Sequence, residues 1–118
     1  MNTVEEFGNF YGTENYHDIG DGYACTDAIV WLKSKLSKVI FTYLIYTIKK
    51  HMGYKLPWGF FELHVTDDGM YLDTTDGNGK KLYKTMLDSD DDLPDNQLDK
   101  GTYKIWCQNY VIYGASEY

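Results

Sequence analysis

Aspartates are the residues of this chain whose spacing most invites a chemical reading. Asp88, Asp90 and Asp92 alternate, and Asp99 stands at the twelfth position of the same stretch. Oxygen ligands at alternate positions can converge on a hard cation such as calcium. Leu93, however, occupies the place where such a loop turns on Gly, Pro94 follows it, and the closing ligand is Asp instead of a bidentate Glu. The stretch reads as a solvated acidic loop, and neither a metal nor another cofactor is expected.

The histidines occur as His17-Asp18, His51 and His64-x-x-Asp67, without metal-ligand or HExxH spacing. Gly77-Asn78-Gly79 lacks the third glycine and the following helix of a dinucleotide site, and no GxSxG or P-loop is present. No catalytic residue is assigned, and a non-enzymatic protein is expected. The enzymatic alternative is a small metal-dependent hydrolase or nuclease, with His17, Asp18 or His64 placed beside acids of the sheet.

The remaining candidate is the acidic surface. Asp67, Asp68, Asp73, Asp76, Asp88, Asp90, Asp91, Asp92, Asp95 and Asp99 all fall in the second half of the chain, with Tyr71 and Tyr83 between them. Carboxylates on turns and strand ends can approach the charge density of a phosphate backbone, which carries one charge per ~1.7 Å of duplex axis, and tyrosines supply rigid contact area. The net charge of −7, from 18 carboxylates against 11 basic residues, argues against direct nucleic-acid binding and for a basic protein partner. The expected function is therefore inhibition, by charge mimicry, of a host protein that itself handles nucleic acid, such as a CRISPR effector.

These residues need elements to position them. At 118 residues, with 43% hydrophobic and 17% aromatic content, the chain supports a single domain, 1–118, with one core. The two cysteines, Cys25 and Cys107, have no CxxC spacing and read as buried apolar groups. The N-terminus lacks the basic and apolar regions of a signal peptide, so a cytoplasmic location is expected. The apolar run 39–48 is shorter than the ~20 residues of a membrane-spanning helix. Its spare face makes a homo-oligomeric scaffold a third possibility.

The fold class is α+β. Gly8, Gly12, Gly20 and Gly22 break up the first 25 residues into a short helical turn and a loop, pinned by Phe7, Phe10, Tyr11 and Tyr16. Thr26 and Asp27 form a helix start, and helical periodicity runs over 26–36 and 38–51, with Gly53 as the stop. After Pro57 the period becomes alternating, which predicts strands at 60–66, 70–75, 81–87, 102–107 and 110–113. Asp67-Asp68-Gly69, Asp76-Gly77-Asn78-Gly79 and Gln108-Asn109 supply tight turns. The expected product is an antiparallel meander of about five strands, with the helices covering one face.

The stretch Phe10-Tyr11-Gly12-Thr13-Glu14-Asn15-Tyr16-His17, then Tyr23-Ala24-Cys25-Thr26-Asp27-Ala28 and the terminal Ser116-Glu117-Tyr118, resembles a family of small uncharacterised phage and bacterial proteins. That family shares a Phe-x-Gly-Thr-Glu-x-Tyr opening. Ala28 stands where the family carries Gly, and the likeness is weak between the first thirty residues and the C-terminus. The resemblance implies a phage-linked, intracellular origin and carries over no functional residue.

Overall fold

Side-chain alternation decides which face each strand gives to the core. In β3 (Trp58–Thr66) Phe61, Leu63 and Val65 are buried, so Phe60, Glu62 and His64 point to the opposite face. The computed structural model describes residues 7, 16–20, 22–52, 58–67, 69–76, 80–88 and 98–114. Around β3 it places β1 (His17–Asp18), β2 (Ala24–Cys25), α1 (Asp27–Lys35), α2 (Lys38–Met52), β4 (Gly69–Thr75), β5 (Lys81–Asp88), β6 (Gly101–Gln108) and β7 (Val111–Gly114).

The helices form as two because Ser37 restarts the chain. Its hydroxyl accepts the Ile40 amide hydrogen at 3.2 Å, and its carbonyl accepts that of Phe41 at 2.9 Å, the geometry of an N-cap. Thr26 occupies the N-cap position of α1, but its side chain makes no capping hydrogen bond. Ile29, Leu32, Ile40, Leu44 and Ile48 are at most 2% exposed. They meet Leu63, Leu72 and Ile105 of the sheet in one core, each large side chain contributing ~1.5–3 kcal/mol. His51, at the end of α2, shares a hydrogen bond between its Nδ1 and the Thr74 hydroxyl across this interface. Burial, aided by the neighbouring Lys50 charge, holds its pKa below the ordinary 6.5.

The sheet departs from the five-stranded meander. It has seven strands in the order β1-β2-β7-β6-β3-β4-β5, and it is mixed, because β2 pairs parallel to β7. A meander would have left β3 at an edge and put β6 beside β5. Instead the chain crosses over after β5 and β6 pairs with β3. The crossover gives β3, with Phe61, Leu63 and Val65 turned inward, a neighbour on each side, which keeps its backbone groups bonded as its face is buried. Asn109 and Tyr110, both at positive φ, form the turn between β6 and β7, so Tyr110 belongs to the turn and not to the last strand. Its carbonyl accepts the Ala24 amide hydrogen and its ring packs on Tyr23 at 5.1 Å.

Phe7 is buried against Trp31 and Tyr103, whereas Tyr16 is 63% exposed and does not pin its segment. Phe10, Tyr11 and Gly53 lie outside the described residues, as does most of the motif carried by residues 10–17 and 116–118. No helix among the described residues is long and apolar enough to cross a membrane.

Candidate functional site

Of the predicted acidic interface, Asp67, Asp73, Asp76, Asp88 and Asp99 are among the described residues. Asp73 is 1% exposed. Asp67 pairs with Lys100, and Asp76 closes the β4–β5 hairpin by accepting the Lys80 amide hydrogen at 3.1 Å. Asp99 is exposed, and its carbonyl receives the hydroxyl of the fully buried Tyr103 at 2.7 Å. Asp88 ends β5, while Asp68, Asp90, Asp91, Asp92 and Asp95 lie outside the described residues. Tyr71 and Tyr83 fall on opposite faces of the sheet. Tyr71 stacks on His64 at 4.7 Å, and Tyr83 packs against His51 beneath α2 at 4.9 Å.

A different cluster forms on the face away from the helices. Glu62 and His64 are two residues apart on β3 and therefore share that face, and the pairing Glu62↔Asp73, His64↔Tyr71 brings in the acid from β4. One ligand atom from each of Glu62, His64 and Asp73 lies within 4.8 Å of the others. His64 Nε2 is 3.1 Å from Asp73 Oδ2 and 3.5 Å from Glu62 Oε1. Despite that proximity, His64 Nε2 is a buried atom without a well-aimed hydrogen bond, while the equally buried Asp73 Oδ2 is partnered by the Lys81 ammonium. A desolvated ring nitrogen in this condition is costly.

The other ring nitrogen is engaged: His64 Nδ1 lies 3.0 Å from the Thr102 hydroxyl of β6. When Nδ1–H donates to Thr102, Nε2 keeps its lone pair toward the two carboxylates, the arrangement a metal-ligating histidine requires. Lys81 Nζ stands 3.0 Å from the same Asp73 oxygen, and this carboxylate, at hydrogen-bonding distance and by its charge, raises the Lys81 pKa above 10.5. Lys84 lies over the Tyr71 ring at 4.4 Å. A shallow cavity of about 280 Å³ opens beside Asp73, Lys81 and Lys84.

His17, named with His64 as a candidate, pairs instead with Asp27 at 2.9 Å on an exposed surface. Asp18 accepts the Gly20 amide hydrogen at 2.9 Å. The sequence reading missed Glu62 and Lys81. Glu62 was within reach: counting back from the Thr66↔Gly69 end of the hairpin places it opposite Asp73. Lys81 was not, because a register shift between Thr74 and Thr75 turns it to this face. Both cysteines are buried and offer nothing to the cluster. No protein-family model, curated protein or solved structure matched the chain.

Proposed function

We propose that this chain binds a divalent transition metal through Glu62, His64 and Asp73, and that the bound ion serves metal-assisted hydrolysis. The observation that carries this is the buried, unaimed His64 Nε2, 3.1 Å from the buried Asp73 Oδ2. A dication between them would satisfy both, and two carboxylates with a neutral imidazole would balance its charge. The donor set of nitrogen and oxygen suits zinc or manganese better than calcium. Three protein ligands leave coordination positions open for water, as catalytic sites do and closed structural sites do not. A bound ion would lower the pKa of that water. Lys81 and Lys84, on the cavity beside the site, favour an anionic substrate such as a phosphate ester.

The alternative, charge mimicry of a nucleic acid, would draw on the exposed Asp67 and Asp99 together with the carboxylates of residues 88–97.

Calorimetric titration with Zn²⁺ and Mn²⁺ tests the proposal directly. Saturable one-to-one binding in the wild type, lost in Asp73→Asn and His64→Ala, is the expected result. Hydrolysis of a generic phosphodiester with the same metals should disappear in the same variants. Absence of metal binding at micromolar protein and ion concentrations would refute the site. Binding without turnover would refute the hydrolytic role.

A further inference from the structure

We infer that the groove between α1, α2 and β1 binds a single-chain amphiphilic anion, of which a medium-length fatty carboxylate is the simplest example. The cavity measures about 630 Å³, inside the ~300–1,000 Å³ range of small-ligand sites. Its floor is apolar, built from Ile19, Leu36, Phe41 and Ile45. Leu36, Phe41 and Ile45 are 6–7% exposed, and this groove is a place where that residual surface is reached.

Three lysines line the cavity from separate points of the fold: Lys33 from the last turn of α1, and Lys38 and Lys49 from the two ends of α2. In a chain of net charge −7, such a concentration of cations over an apolar floor is a local reversal of the field. Among the described lining residues the one acid is Asp18, whose carboxylate is engaged by the Gly20 amide. Lys49 is held by the Ile19 carbonyl at 2.8 Å, whereas Lys33 and Lys38 are exposed. Lys38 is not placed to favour its helix, because a cation in the first turn opposes the helix dipole, and α2 has no acid there. The combination selects an apolar tail with a negative head: the tail lies on Phe41 and Ile45, and the head sits between Lys33 and Lys38. The site lies on the helical side of the sheet, away from Glu62, His64 and Asp73, and is independent of the metal reading.

The test is a calorimetric titration with sodium decanoate below its micelle-forming concentration, in EDTA so that no metal takes part. Saturable one-to-one binding is expected. Decanol should bind at least about tenfold more weakly, and the double variant Lys33→Glu, Lys38→Glu should lose about tenfold in affinity. Thr42→Trp, at an exposed position lining the groove, should block binding while the circular dichroism melt stays cooperative. Equal binding of decanol and decanoate would overturn the proposal. So would non-saturating uptake, or undiminished binding by a folded Thr42→Trp variant. Sedimentation with anionic phospholipid vesicles, without binding of free decanoate, would overturn it in favour of a membrane surface.

Discussion

Lys81 Nζ and His64 Nε2 approach one oxygen, Asp73 Oδ2, at 3.0 and 3.1 Å. The ammonium group is thus a built-in competitor for the position a metal ion would take. Lys81→Met should therefore raise metal affinity, measured by calorimetry at fixed pH and salt. The same variant should lower the rate of phosphodiester hydrolysis if Lys81, once displaced by metal, holds the anionic substrate. Weaker metal binding in Lys81→Met would show that the lysine supports the site instead of occupying it.

Stability should fall with acid in a way that depends on His51. The His51 pKa is lowered in the folded protein by burial and by Lys50, so below about pH 6.5, the ordinary histidine value, the unfolded chain binds the extra proton and the folded one resists it. Stability then rises with pH through that window and its His51 contribution is complete above it. Denaturant unfolding from pH 8 to pH 5 should show a shallower decline for His51→Gln than for the wild type. The other titrating groups are common to both proteins, so the difference isolates His51.

Gly59 is required by close packing at the end of α2. A Cβ on Gly59 would lie 2.7 Å from Met52 Sδ and 2.7 Å from Phe61 Cε2, closer than nonbonded carbon contacts allow. Gly59→Ala should cost ~1–3 kcal/mol by chemical denaturation, the usual size of an overpacking effect. Part of the loss should return in the Met52→Ala background, because only the sulfur contact is relieved there. A neutral Gly59→Ala would place Met52 elsewhere.

Thiol reactivity should report global unfolding. Burial pushes the Cys107 thiol up to about 12, and the reactive thiolate is therefore scarce at pH 8. Iodoacetamide labelling followed by mass spectrometry should leave Cys107 unmodified in the native protein and modify it rapidly in denaturant. Labelling of the native protein at the rate of a free thiol would show that this strand is open to solvent.

Local rules settled the elements because their causes are local. Alternation of Phe61, Leu63 and Val65 with polar partners made β3 a strand with a buried face, and helical spacing marked Ile40, Leu44 and Ile48 as the covering stripe. Ser37 separated two helices through its own hydrogen bonds to the next turn. Asp76 and Lys80 closed the second hairpin through hydrogen bonds between them, on either side of Gly-Asn-Gly in the sequence. Such signals lie within a few residues of the structure they specify.

The arrangement of strands was decided by tertiary packing. β6 joined β3 across the crossover from β5, a choice between partners distant in sequence that no local preference encodes. That pairing supplied Thr102 to orient His64. Strict alternation would have put Lys81 and Tyr83 on one face, but the shift between Thr74 and Thr75 sent Lys81 to Asp73 and Tyr83 to His51. The sequence alone established a two-faced sheet under two helices with an excess of acids. Which acids became buried ligands was fixed by register, because a one-residue shift carries a side chain through the sheet.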